Sequence, residues 1–378
     1  MEFGIGLTNY RGCWDDAAFA EQHGFSTVGF IDSPLISGDP FTAMALTAQA
    51  TSTMRIGSYL NVPSLRSAPA TAAAISSINE LAPGRVYFGT GTGYTGRQTF
   101  GLKSIPLSHV TQYIREIRGL LAGEEVMHRH GSHETAIRMV NKAQIANNRE
   151  NPIPIYLAAD GPRGLALTGQ EADGWLTTLH FDPAMTGTMM NAPEVFTRSY
   201  TAVQEASSAA GRDFSDAHTS WSTSICVLEP GEPVLSPRSL RQVGPMGMFA
   251  FHTYACSPEI RDFLSPTMRD RVDIYEKEVL SRLDLPRDRL YQAVHEGHLT
   301  HLIDGEAAVL TEDILRVMSL TGTASEIAAQ LQRLEAAGLR NVTLTVPPGC
   351  VREVVLDVAE RIMPLMGVKD GSSGSRVA

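Results

Sequence analysis

The sequence predicts an α/β fold: a (β/α)8 TIM barrel carrying a long helical lid between its seventh strand and seventh helix. Short apolar runs alternate with helical stretches along most of the 378 residues, the pattern of parallel strands joined by helical crossovers. These runs number eight, enough to close a barrel whose active site lies at the C-terminal strand ends. One segment, 229–310, breaks the rhythm and is too long for a structureless loop in a compact domain. With 43% hydrophobic residues, the chain can bury a core of this size.

Phe3 to Leu7 is the first apolar run, followed by a helix from Asp15 to Gln22 with Gly24 as its stop, and Thr27 to Ile31 is the second run. Next come a helix from Pro40 to Ala50, a strand from Arg55 to Leu60, an Ala-rich helix from Ala68 to Leu81, a strand from Arg85 to Phe88 and a helix from Leu107 to Leu121. A polar excursion over about 123–150 reads as a hairpin. Ile153 to Leu157 and Gly174 to Thr178 are strands five and six, flanking a helix from Gly164 to Gln170. Ser220 to Leu228 reads as strand seven and Asn341 to Val346 as strand eight, with helices from Ala324 to Ala337 and Val351 to Met363 on either side of the latter. Between Glu229 and Leu310, prolines alternate with Met and Phe clusters (Met246, Met248, Phe249, Phe251) and amphipathic helix around Met268 to Leu283. The segment reads as a lid over the barrel mouth or, alternatively, as a dimerisation arm. Barrel and lid are expected to form one domain over 1–367, with a disordered tail at 368–378.

The net charge of −10 and the lack of a Lys/Arg block argue against nucleic acid or an anionic membrane as partner, and favour small molecules. No stretch reaches the roughly 18 apolar residues of a membrane span, and the N-terminus has no basic, apolar leader pattern. Cys13, Cys226, Cys256 and Cys350 lie far apart with no CxxC pair, so no disulfide framework or zinc ribbon is indicated and a reducing cytoplasm is the expected location.

Residues 81–103, LAPGRVYFGTGTGYTGRQTFGLK, run a strand directly into alternating glycines. Such a turn lets the backbone approach a phosphate or a planar ring closely. It differs from the dinucleotide fingerprint, which needs a third glycine opening the next helix and belongs to the first strand of its domain. Ala158-Ala159-Asp160-Gly161-Pro162-Arg163-Gly164 ends a strand in small residues and opens a helix with proline, which leaves free N–H groups for a phosphate at the barrel mouth. In HEGHLTHL, His295, His298 and His301 have the i, i+3, i+6 spacing of one helix stripe; without an HExxH pattern they read as packing or lid hydrogen bonds, or as a substrate-side acid.

Three blocks in order resemble the bacterial luciferase-like family: SLRSAPATA at 64–72, INELAPGRVYFGTGTGY at 78–94 and PIYLAADGPRGLALTGQEADGW at 154–175. The flavour is that of members similar to methylene-tetrahydromethanopterin reductase, which use coenzyme F420 or FMN. The resemblance covers roughly 1–180 and 311–365. It implies a flavin or deazaflavin across the barrel mouth, no metal, and a homodimer. It further implies a strand-end bulge with a cis Tyr59–Leu60 peptide behind the ring, Asn61 at the ring's pyrimidine edge, cofactor contacts from Gly91, Thr92, Gly93 and Tyr94 (with Thr90 a further hydroxyl candidate), a phosphate site at Ala159, Asp160, Gly161, Pro162 and Arg163, and Thr178 near the ring. Asp32 and Ser33 close strand two where sugar- and alcohol-oxidising members carry an aspartate beside a catalytic histidine; Ser33 replaces that histidine. Asp32, Ser33 and His298 are the catalytic candidates. The absent histidine favours hydride transfer from reduced coenzyme F420 to an activated C=C or C=N of a small or peptide-borne substrate. An FMNH2-dependent monooxygenase and a non-catalytic flavin-binding relative are the alternatives. An aldolase on this fold is disfavoured, because none of the four lysines ends a predicted strand.

Overall fold

The computed structural model describes residues 1–179, 192–264 and 266–368. The tail expected at 368–378 lies, apart from Val368, outside them.

The elements in chain order are β1 (Glu2–Leu7), α1 (Cys13–Gln22), β2 (Thr27–Phe30), α2 (Pro40–Ala50), β3 (Arg55–Asn61), α3 (Ala68–Leu81), β4 (Val86–Thr90), α4 (Tyr94–Gln98), α5 (Leu107–Ala122), β5 (Val126–His130), β6 (His133–Ile137), α6 (Lys142–Glu150), β7 (Ile155–Ala158), α7 (Pro162–Glu171), β8 (Gly174–Thr177), α8 (Ala192–Ala209), β9 (His218–Thr223), β10 (Ile225–Val227), α9 (Pro237–Gly247), α10 (Phe249–Cys256), α11 (Pro266–Glu278), α12 (Glu312–Met318), β11 (Leu320–Gly322), α13 (Ala324–Ala336), β12 (Asn341–Thr345) and α14 (Val351–Asp357). Eight of the strands close a parallel barrel in the order β1-β12-β9-β8-β7-β4-β3-β2.

The eight strands coincide with the eight apolar runs because each is buried on both faces, against the helices outside and the lumen inside, and so reads as continuous hydrophobicity. Outside, Phe3, Ile5, Val28, Phe30, Ile56 and Phe88 pack against the helix ring. Inside, the lumen is aromatic and polar. The Tyr87 ring stacks on Tyr156, and Tyr156 on His218, with centroids 5.1 and 4.7 Å apart. Room for these rings comes from two strand glycines: a Cβ on Gly57 would lie 2.3 Å from the Tyr87 ring, and one on Gly29 would lie 2.5 Å from Tyr59 Cβ. Below them, Ser220 donates to Asn341 at 2.8 Å, and Asn341 Nδ2 donates to Thr27 at 3.2 Å.

Three differences from the sequence reading have physical causes. The expected seventh strand, Ser220–Leu228, is two strands. β9 stays in the barrel, the chain breaks at Ser224, whose hydroxyl donates to the Thr345 carbonyl at 2.6 Å, and β10 then pairs with β11 outside the barrel. The polar excursion contains the expected hairpin, β5–β6, but continues into α6, which Asn141 caps by accepting from Ala143 and Gln144. Helix α8 has no counterpart in the reading.

The insertion after β10 folds as a helical layer with its own core: Val243, Met248, Phe251, Val272, Tyr275, Val279, Val309 and Leu315 are all buried together. This core extends past Leu310 to Met318, so α12 belongs to the lid. Arg238 anchors its base by pairing with Glu232 and, at 3.1 Å, with Asp357 of α14. Among the described residues, no helix is long and apolar enough to cross a membrane.

Candidate active site

A cavity of about 840 Å³ opens at the C-terminal ends of the barrel strands, between them and the lid. Strand ends supply Ile31, Asp32, Tyr59, Leu60, Ala158 and Thr178; the lid supplies Met246, Phe249, His298 and Leu299. The insertion thus covers the barrel mouth.

At the end of β3, the register slips between Ser58 and Asn61, and the Tyr59–Leu60 peptide is cis, as expected. The bulge presents Tyr59 and Leu60 side by side to the cavity and turns Asn61 away from it. Asn61 is fully buried; its Nδ2 donates to Asp32 Oδ2 at 3.0 Å and its Oδ1 accepts from the Tyr113 hydroxyl at 3.1 Å. This corrects the expectation that Asn61 meets the ring edge: its amide holds Asp32 in place. Gly91 is corrected as well. It does not line the cavity, since a Cβ there would lie 2.8 Å from the Leu60 side chain, so the glycine makes room for Leu60 to lie flat. The Thr90 hydroxyl is spent on the Asn61 carbonyl at 3.1 Å.

The rest of the glycine loop does reach the cavity: Thr92, Gly93 and Tyr94 line it. Gly93 has φ of 73°, a left-handed conformation that lets α4 start here. Tyr94 lies close to Thr253 of α10 and to Gln98, whose hydroxyl and amide work against the rise in its phenol pKa that burial causes, so the loop meets the lid here.

On the opposite wall, Ala159, Asp160, Gly161, Pro162 and Arg163 line the cavity together. Asp160 accepts hydrogen bonds from the hydroxyls of Thr177 and Thr178 and from the backbone N–H groups of Thr178 and Leu179, so it shapes the end of β8 rather than offering a free carboxylate. Burial pushes its pKa up and these four donors pull it back. The N-terminus of α7 has no side-chain cap, nothing lies within 4 Å of a Cβ on Gly161, and Arg163 is exposed with no ion-pair or hydrogen-bond partner among the described residues. Uncapped N–H groups, the positive end of a helix dipole and a guanidinium with no partner among the described residues thus meet at this end of the cavity, the groups from which anion sites are built.

Asp32 is 2% exposed. Burial pushes its carboxyl above the ordinary carboxylate range, against the donors Val62 N (3.1 Å) and Asn61, both of which reach Oδ2. Ser33 lines the cavity beside it.

On the lid wall, His298 is buried, and burial together with His252 and His295 holds its pKa well below 6.5. Burial thus works against the charged form that the expected role as a substrate-side acid would use. The expected helix stripe is absent: residues 294–300 form turns, His301 is exposed, and the neighbour that meets His298 is His252 of α10. His252 and Glu306 escaped the sequence reading because no local spacing joins them to the HEGHLTHL segment.

Residues 8–341 match the luciferase-like monooxygenase family. The chain belongs to that family. It is 32% identical over 169 residues to 5,10-methylenetetrahydromethanopterin reductase of Methanolobus tindarius (42% of this chain, 48% of the relative) and 31% identical over 173 residues to an F420-dependent hydroxymycolic acid dehydrogenase of Mycobacterium tuberculosis (42% and 47%). The aligned part therefore spans about half the length of these relatives. The fold is that of the coenzyme F420-dependent tetrahydromethanopterin reductase of Methanopyrus kandleri, with a TM-score of 0.69 at 18% identity over 96% of this chain and 98% of that one. The luciferase-like chain described here thus combines the family's barrel with a cavity closed by its own lid.

Proposed function

We propose that this protein is a coenzyme F420-dependent oxidoreductase that passes a hydride between the reduced deazaflavin and an activated C=C or C=N of a small or peptide-borne substrate. The observation that carries the reading is the two-part cavity. Tyr59, Leu60 and Leu176 give an apolar bed at the strand ends, and the uncapped start of α7 beside Arg163 gives a phosphate end. A cavity of about 840 Å³ falls in the ~300–1,000 Å³ range of cofactor and ligand pockets. These residues fit a tricyclic cofactor with a phosphate-bearing tail, and the F420-dependent relatives support the deazaflavin.

Bound deazaflavin supplies the hydride, and its carbon at the central position makes it a hydride carrier rather than an oxygen activator. The chain's residues supply the rest. Leu60, backed by Gly91, together with Met246, Phe249 and Leu299 of the lid would give the ring apolar surroundings and exclude water. Asp32, kept protonated to a higher pH than an ordinary carboxyl, delivers the proton to the reduced substrate, and Ser33 positions the substrate polar group. Arg163 and the open α7 start at Gly161 would hold the phosphate, with Thr92, Gly93, Ala159, Pro162 and Thr178 lining the rest of the cofactor's length.

The family also contains monooxygenases, and a lid-enclosed cavity suits an FMNH2-dependent oxygenase equally well; that is the second reading. Single-turnover oxidation of reduced coenzyme F420 under air-free conditions, with α,β-unsaturated and imine acceptors, tests the first. Deazaflavin oxidation dependent on an acceptor supports it. Oxygen-dependent turnover of FMNH2 alone supports the second.

A further inference from the structure

The lid holds a polar cluster that the proposed hydride transfer does not use. His252 on α10 and His295 and His298 in the turns before Leu299 are 1%, 4% and 4% exposed, and one ring nitrogen of each lies within 4.8 Å of the others. His252 Nδ1 and His298 Nδ1 stand 3.2 Å apart. Two imidazoles bonded at ~2.0–2.1 Å to one tetrahedral ion hold their nitrogens about 3.3 Å apart, so this pair already has that spacing.

The partners behind the rings decide which nitrogens face inward. His252 Nε2 is 2.7 Å from Oε1 of Glu306, which is 1% exposed. With Nε2 donating to Glu306, the neutral ring leaves its lone pair on Nδ1, on the side of His298. His295 also has two unlike nitrogens: its Nε2 lies 3.5 Å from Cys256 Sγ, while its Nδ1 is buried with no hydrogen-bond partner among the described residues. A buried unpaired nitrogen is costly, and a hydrogen-bonded histidine cluster serves the His252–His298 pair but leaves this one orphaned.

We propose that His252, His295 and His298 bind one divalent first-row transition ion, with zinc the first choice, through three neutral imidazoles. Glu306 and Cys256 orient two of the rings from behind, the arrangement in which an outer acceptor fixes the tautomer of a metal-bound histidine. Three nitrogen donors suit zinc, cobalt(II) or iron(II) and leave a further coordination position, as in metal sites that take water or a substrate oxygen. His298 also lines the cavity, so the ion sits in its lid wall, where it can bind a substrate carbonyl or carboxylate. The sequence reading did not join these three because His252 lies on α10, far along the chain from the turns that carry His295 and His298. The site does not depend on which cofactor occupies the barrel mouth.

The test uses the untagged full chain, stripped with chelator and titrated with Zn2+ and Co2+. The expected result is one ion per chain, visible absorption bands of four-coordinate Co2+, and zinc-edge X-ray absorption showing three imidazoles at about 2.0 Å. His295→Gln should weaken the ion by at least ~10-fold, the scale of losing a support in such sites, while His301→Gln, which alters an exposed neighbour, should bind as the parent does. No retained ion, fewer than three imidazoles, or unchanged affinity in His295→Gln overturns the proposal. Should His295→Gln fail to fold by near-UV circular dichroism, the imidazole count on the parent chain decides alone.

Discussion

At the residue scale the account turns on Asp32 and the two groups that hold it. Asp32→Asn keeps an acceptor for Val62 N but cannot deliver a proton, so turnover should fall by about 100-fold or more while deazaflavin affinity stays within about twofold. Equal losses in affinity and turnover would argue for a structural role. Asn61→Ala removes a donor to the charged form of Asp32. The carboxyl pKa should therefore rise further, and the pH above which a proton-dependent rate falls should move to higher pH; the pH–rate profile reads this directly. The same variant strands the Tyr113 hydroxyl on one side and should cost about 1–3 kcal/mol in denaturant titration. Asp32 was legible in the sequence, because it ends a strand of a fold whose sites lie at strand ends. The role of Asn61 was not. Strict alternation along β3 would turn Tyr59 and Asn61 to the same side, and the bulge that breaks it depends on contacts with β4 that no local pattern records. His252 was illegible for the same reason, since its partners come from a distant segment.

Among the elements, α7 and the lid base carry the predictions. Arg163→Ala leaves the uncapped α7 start intact, so cofactor affinity should weaken by about five- to tenfold, and what remains should depend less on salt. Unchanged affinity at low salt would place the phosphate elsewhere. At the lid base, Arg238 draws the Glu232 pKa from 4.5 down to about 2. A carboxyl whose pKa is lowered on folding stabilises the protein above its unfolded value, and that stability is lost as pH falls through the folded one. The lid anchor should thus be at full strength above about pH 4.5 and vanish by about pH 2. Glu232→Gln should lower Tm at pH 7, with the difference from the parent closing across that window; a constant difference would deny the pair its role. The strands were readable because each is buried on both faces. The split of strand seven was not, because Ile225–Val227 is as apolar as the barrel strands and only pairing with Leu320–Gly322 shows that it has left the barrel.

For the molecule as a whole, barrel and lid divide the work. Strand ends and the α7 start present the cofactor bed and the anion site, and the lid supplies Met246, Phe249, His298 and Leu299 to close the cavity. The alternation of apolar runs was enough to give the barrel and place its active end, and the proline-rich break marked the lid. The meeting of lid and barrel is tertiary, and it appears only in the cavity that strand-end residues such as Asp32 and Leu60 share with Met246 and Phe249 of the lid. The central claim is a deazaflavin cofactor across the barrel mouth. Its most direct test is air-free fluorescence titration of the full chain with coenzyme F420 and, separately, with FMN. The account predicts saturable one-to-one binding of the deazaflavin at least ~10-fold tighter than FMN, a gap of about 1.4 kcal/mol. Tighter binding of FMN, or binding of neither, would contradict it.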